Sequence, residues 1–174
     1  VQHFERVMPK QVKLVTDTTL FEKMSKSIVL LDLPQNIILL EQLLQTTKPV
    51  RIYAHLYTPS PKYFSGMPTR QHFSWYYGFL KKRPSFHLEQ HIEALSKHIG
   101  LNIDVIKFMT KVFFELGFVT IENGLTIIVE NAPKTALSEA PSYKLRSEQI
   151  ELEQKLLYAT YIELKQWFDE RLSS

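Results

Sequence analysis

The sequence predicts an α/β protein: a small parallel three-stranded α/β lobe, then a lobe of three helices and a β-hairpin, and finally a long helix. Three observations support this fold class. β-branched apolar runs alternate with helical patterns in the first third of the chain. Three amphipathic segments follow a proline-rich stretch, and an Asn-Gly pair then separates two short apolar runs.

The first lobe, residues 1–67, is interpreted as a partial Rossmann-like α/β lobe. Its three predicted strands are apolar runs at 12–15, 27–34 and 49–57. The segments between them carry apolar residues at helical spacing, with Asp17 a candidate N-cap and Pro34 suited to a first helical turn. Alternation of strands and helices implies a parallel sheet with right-handed crossovers.

The second lobe, residues 68–174, begins after a stretch with three prolines and one glycine at 58–69, a composition typical of a linker. Helices are predicted at 69–83, 87–100 and 102–117. Gly100 and Gly117 stand where C-terminal caps belong, and Asn102 is suited to cap the third helix.

A β-hairpin is predicted at 118–129, because Asn123-Gly124 supplies the positive dihedrals of a tight turn. Three helices followed by a hairpin is the order of a winged helix-turn-helix domain, so this lobe is predicted to be winged-helix-like. The third helix would be its recognition helix. The outward positions of this helix mix both charge signs, and the hairpin carries acidic residues without lysine or arginine, which argues against reading of duplex DNA.

The last part of the chain is predicted to be a loop at 131–143 and one long C-terminal helix from Arg146 to about Leu172. Glu148 and Glu151 suit the start of such a helix, because carboxylates are favourable near a helix N-terminus.

Composition excludes several classes of protein. The chain has no cysteine, which excludes disulfides and thiolate metal sites and is compatible with a cytoplasmic location. No apolar run approaches the roughly 20 residues of a membrane span. Since the chain begins at Val1 and not at a methionine, we expect the chain to be a piece of a longer polypeptide.

The net charge of +3 is small, but the charges are unevenly placed. No acidic residue lies between Glu41 and Glu89, and this acid-free interval holds seven lysines and arginines and ten of the 21 aromatic residues. Proteins that hold single-stranded nucleic acid combine such cations with aromatic faces on which bases stack. The alternative is that the rings form the core of one amphipathic helix and the cations solvate its end.

Other constellations are weaker. His87 and His91 have a metal-compatible spacing, but Leu88 stands where the H-E-x-x-H motif needs glutamate. The favoured interpretation is that both histidines are polar surface residues. Asp32 stands at the carboxyl end of a predicted strand and Asp17 follows another. The two carboxylates could hold a divalent cation, although capping the next helices is the simpler role. Nucleotide-cradling and serine-hydrolase motifs are absent, and no metal or catalytic residue is assigned.

Several phrases in a fixed order carry a resemblance to a known family: SIVLLDLP, RIYAHLY, MPTRQHFSWYYGFLKKRPSF, IKFMTKVFFELGFVTIENG and LLYATYIELKQWF. Together they resemble the C-terminal domain of the RecJ family of single-stranded-DNA-specific exonucleases, in its low-GC Gram-positive form. The resemblance implies a cytoplasmic 5′-to-3′ exonuclease of DNA recombination and repair that needs manganese or magnesium. Its D-H-H metal motif is absent here, so this chain is expected to carry no cofactor and not to cut DNA by itself.

The resulting hypothesis is a non-catalytic accessory domain that helps a RecJ-like nuclease bind single-stranded DNA, beside the catalytic core of the same polypeptide. The predicted DNA contacts are Arg70, Trp75, Tyr76, Lys81, Lys82 and Arg83 first, and Lys107 and Lys111 second. The alternative is a protein-docking module for a partner such as single-strand-binding protein or a helicase. A free-standing transcription regulator and a metal enzyme are less compatible with the sequence.

Overall fold

The computed structural model describes residues 27–34, 37–83 and 85–173. These residues form a mixed α/β protein with a two-stranded parallel sheet and a three-stranded antiparallel sheet. The predicted strand at 12–15, the helix after it and Asp17 lie outside the described residues. The chain divides into two compact units, the first ending at Tyr57 and resuming at Ala159, and the second running from Thr58 to Tyr158.

The first unit contains strand β1 (Ser27–Leu30), helix α1 (Ile37–Thr47), strand β2 (Arg51–Ala54) and helix α6 (Tyr161–Leu172). The two strands pair in parallel, with Ile28 opposite Ile52. This confirms the parallel arrangement, although the described sheet has two strands where three are predicted. Leu40 and Leu44 on α1 are buried, and Arg171 on α6 donates to Glu41 on α1 at 2.7 Å.

The second unit contains helices α2 (Arg70–Lys81), α3 (Leu88–Ile99), α4 (Ile103–Glu115) and α5 (Pro141–Leu152), and strands β3 (Ser85–His87), β4 (Val119–Glu122) and β5 (Leu125–Ile128). The predicted three helices and hairpin are present. Strand β3, which was not predicted, pairs antiparallel with β5 and gives the sheet the order β3-β5-β4. Asn123 and Gly124 take φ values of 51° and 79°, as the tight turn requires.

The core of the second unit lies between α4 and its neighbours. The buried residues of α4 include Ile106, Met109, Val112 and Phe113, and Leu116 directly after the helix is also buried, whereas Ile103 is half-buried. Local caps hold the helix ends where the sequence places them. Asn102 accepts a hydrogen bond from the Asp104 backbone, and Gly100 and Gly117 adopt left-handed φ values of 67° and 70°.

The prediction of one long C-terminal helix is wrong, because the helix is interrupted at Tyr158–Thr160. Helix α5 ends in a π-helical turn, Glu153–Leu157, and α6 starts anew at Tyr161. Thr160 caps α6 in a capping box with Glu163, which makes an independent helix start favourable at this point. The two helices therefore belong to different units.

The division at Tyr57 differs from the predicted boundary after residue 67. Residues 58–67 belong to the second unit because the buried Glu153 carboxylate accepts hydrogen bonds from the backbone amides of Lys62 and Tyr63 at 2.8–3.0 Å. Arg146 supports the same loop by donating to the Gly66 carbonyl and the Ser65 hydroxyl.

No helix within the described ranges is long and apolar enough to cross a membrane.

Candidate functional site

Helices α2 and α3 and strand β3 enclose an open groove of about 920 Å³, here called the α2–α3 groove. Its volume lies within the range of about 300–1,000 Å³ typical of ligand clefts. Its lining includes aromatic rings, two cations and three imidazoles. Among the described residues, no carboxylate lines this groove.

Helix α2 presents one face to the core and another to the groove. Thr69 and His72 form a capping box that fixes the start of the helix. Phe73 and Tyr76 then pack against Phe113 of α4, with ring centroids 5.7 and 5.8 Å apart. Once this side is buried, the residues at three- and four-residue spacing on the adjoining face line the groove.

The aromatic lining consists of Trp75, Phe79 and Phe86. The indole of Trp75 is 43% exposed and stacks on Phe79, with centroids 5.5 Å apart and planes 21° from parallel. Phe79 in turn meets Phe86 edge to face at 5.2 Å. Trp75 is therefore held by a neighbouring ring while much of its surface remains open to solvent.

The cationic lining consists of Lys82 and Arg83 at the end of α2. The Arg83 guanidinium lies 4.0 Å from the centroid of the Phe79 ring, a cation–π geometry. Within the described part of the chain, neither residue forms a salt bridge. Both charges are therefore available to an anionic ligand.

Three histidines, His87, His91 and His98, also line the groove. The first two have the spacing of metal ligands, but no cluster of three metal-ligating side chains occurs among the described residues. Instead, the rings of His98 and Trp75 lie 6.1 Å apart and those of His91 and Phe86 lie 5.5 Å apart. His91 and His98 are seven residues apart on α3, and this helical spacing was a signal that could have placed both in the groove.

The other predicted contacts of α2 lie away from the groove. Arg70 is exposed at the opposite end of the helix, twelve residues or about 18 Å from Lys82 along the helix axis. Lys81 is exposed and its ammonium lies 5.7 Å from the centroid of the Tyr77 ring. The structure therefore brings together Trp75, Lys82 and Arg83, and leaves Arg70 and Lys81 outside this group.

Tyr76 is also among the predicted DNA contacts, and its burial corrects that prediction. Its ring is fully buried and its hydroxyl lies 2.7 Å from the Thr110 hydroxyl. A base cannot stack on a ring without exposed surface, so Tyr76 is a core residue. Burial raises the pKa of Tyr76 to about 12, and its hydrogen bond with Thr110 offsets only part of this effect.

This raised pKa predicts a loss of stability in alkali. Below pH 10, Tyr76 is neutral in both the folded and the unfolded protein. As pH rises from about 10 to about 12, the Tyr76 hydroxyl loses its proton in the unfolded protein before it does so in the folded protein. This difference favours unfolding by up to roughly 2–3 kcal/mol. In urea titrations at pH 9 and pH 11.5, Tyr76→Phe should lose less stability than the wild type. Equal losses in both proteins would contradict the prediction.

The second-rank contacts, Lys107 and Lys111, lie exposed on α4 and do not line the groove. Lys107 is 3.6 Å from Glu89, whereas Asp104 on the same helix pairs with Lys62 at 3.1 Å and Arg146 at 3.3 Å. Burial acts to raise the pKa of Asp104, but the hydrogen bonds and charges of these two partners outweigh it and hold the pKa below its usual value. The acidic character of α4 is thus partly neutralised within the unit.

Comparison with known proteins identifies the family to which the chain belongs. A family model described as "Single-strand DNA-specific exonuclease, C terminal domain" matches residues 2–168. The chain therefore belongs to this family of exonuclease C-terminal domains, as the resemblance in the sequence predicts. No solved structure matches the chain.

Among curated proteins, the chain is similar to the single-stranded-DNA-specific exonuclease RecJ of Bacillus subtilis (strain 168), with 43% identity over 143 residues. The matched region covers 82% of this chain and 18% of that protein. The chain thus corresponds to a minor part of the relative's length.

Proposed function

We propose that this chain is the accessory C-terminal domain of a RecJ-like exonuclease and that its α2–α3 groove binds single-stranded DNA. The observation that carries the proposal is the juxtaposition of the exposed Trp75 indole with Lys82 and Arg83 in a groove without carboxylates among the described residues. Rings supply stacking surfaces for bases and cations attract phosphates. Family membership supports a role beside such a nuclease.

The second unit would act as a winged-helix module in this role. Its element order, α2-β3-α3-α4-β4-β5, with the sheet order β3-β5-β4, supports that assignment. The hairpin carries Glu122, and Glu130 follows it, so the wing is poorly suited to duplex phosphates. We therefore place DNA at the α2–α3 groove and not at the wing.

Catalysis would belong to the remainder of the parent polypeptide, where manganese or magnesium would act. This chain has no Asp-His-His sequence, and its groove offers stacking surfaces and cations but no carboxylate among the described residues. Its contribution would be to hold the strand near the catalytic core, in DNA recombination and repair. Each additional phosphate contact would strengthen substrate retention without altering the chemical step.

Salt dependence tests the proposal directly. A labelled single-stranded oligonucleotide is titrated with the chain between 25 and about 200 mM salt and binding is followed by fluorescence anisotropy, because each neutralised phosphate contributes a slope of roughly −0.7 in a plot of log affinity against log salt. We expect affinity to fall steeply with salt and a duplex of equal length to bind more weakly. Salt-independent binding, or no binding at the lowest salt, would overturn the proposal.

A protein-docking role is the second candidate, and an exposed aromatic cluster favours it. Phe64 is 78% exposed, and the rings of Tyr63, Phe64 and Tyr158 lie within 4.8–5.3 Å of one another. Exposed aromatic groups are typical anchors of protein interfaces. A pull-down with single-strand-binding protein or a helicase, compared between wild type and Phe64→Ser, distinguishes this role from DNA binding.

A further inference from the structure

Gly78 occupies a position where neither the backbone nor packing requires glycine. It lies in the interior of α2, outside the set of glycines with positive φ, and a Cβ added there would meet no atom within 4 Å. Glycine destabilises a helix interior relative to alanine. Since the fold does not need this glycine, the space that it leaves calls for another explanation.

That space opens into the α2–α3 groove. Gly78 lines the groove between Trp75, three residues earlier, and Lys82, four residues later, so the three lie along one face of the helix. Ser74, Ser85 and Ala94 are the other small residues of the lining. The exposed indole therefore borders a stretch of groove wall without a bulky side chain, with a cation one turn beyond.

We infer that this part of the groove is a stacking subsite for a single unpaired nucleobase, with Trp75 as the stacking surface, Gly78 as the residue that keeps the space open and Lys82 beside the phosphate. This inference rests on the proposed function and names the ligand group recognised. The faces of a base within a duplex are covered by its neighbours, whereas an unstacked base offers a whole face to an indole. The subsite would thus give the groove its preference for single strands.

The experiment compares two oligonucleotides of equal length and phosphate count, one with thymine bases and one with abasic sites. The chain has two tryptophans, so Trp167→Phe leaves Trp75 as the only indole reporter. In this background we expect the base-bearing oligonucleotide to bind about fivefold or more tightly than the abasic one and to quench the Trp75 fluorescence. Both oligonucleotides should show the same dependence on salt.

Gly78→Leu should remove both the preference for bases and the quenching while leaving the salt slope unchanged, because the leucine side chain occupies the open space without altering charge. Gly78→Ala serves as the folding control, since its melting temperature should equal or exceed that of the parent. Equal binding of the two oligonucleotides with a normal salt slope would overturn the subsite and leave the proposed function standing. Failure of both oligonucleotides to bind at low salt would overturn both.

Discussion

Replacing Lys82 and Arg83 together by alanine is expected to weaken binding of single-stranded DNA by roughly 25-fold near 0.1 M salt, because each lost phosphate contact removes about 0.7 of a released counterion. The same change should reduce the salt slope by about 1.4. These two cations line the groove beside Trp75, and neither forms a salt bridge with another described residue. Anisotropy titrations at four or more salt concentrations measure both quantities.

The matched control removes two positive charges elsewhere on the second unit. Lys134 is exposed in the loop after β5, and Lys144 is an exposed residue of α5 that lies 3.5 Å from Glu139. The variant with both changed to alanine should keep nearly all of the affinity, since neither residue lines the groove. If the control loses as much affinity as the groove variant, binding depends on net charge alone and the groove is not the binding site.

The second large effect concerns stability. Glu153→Ala is expected to lower the free energy of unfolding of the second unit by roughly 2–6 kcal/mol, since it leaves two backbone amides without an acceptor at about 1–3 kcal/mol each. The Glu153 carboxylate is fully buried and accepts from the amides of Lys62 and Tyr63 and from the side chain of Gln149. Hydrogen exchange at the Lys62 and Tyr63 amides gives the local readout, and urea unfolding gives the global one.

Glu151→Ala provides the comparison for this effect. Glu151 lies two residues away on α5, is exposed and forms a surface ion pair with Lys155, so its loss should change stability by less than about 1 kcal/mol. Glu153→Gln keeps the side-chain volume and one acceptor oxygen, and should fall between the two alanine variants. Unchanged protection of the Lys62 and Tyr63 amides in Glu153→Ala would show that this carboxylate does not hold the loop.

Local sequence signals placed most elements of the second unit correctly. Gly100, Asn102 and Gly117 bound the helices within a residue or two of the prediction, because capping depends on the backbone preferences of single residues. The Asn123-Gly124 turn was predictable for the same reason. Strand β3 escaped prediction because three residues are too few for an alternating pattern, and its pairing with β5 is a long-range contact.

The interruption of the helix before α6 shows a different limit of prediction from the sequence. The segment Tyr158–Thr160 contains neither proline nor glycine, and apolar residues continue at helical spacing across it. The decisive features are the Thr160 capping box with Glu163 and the buried Glu153 carboxylate, which binds a loop about 90 positions earlier in the chain. The capping pattern was readable in the sequence, whereas the partner of Glu153 was not.

The sequence by itself determined the family, the mixed α/β composition, the helix caps, the hairpin and the concentration of cations and rings in the acid-free interval. Only the tertiary structure decided which of those side chains share a surface. Trp75 and Tyr76 are adjacent and chemically similar, yet one borders the groove and the other is buried against Phe113. The physical reason is that neighbouring helix positions point about 100° apart, so the packing of α2 on α4 determines which ring is left to bind a ligand.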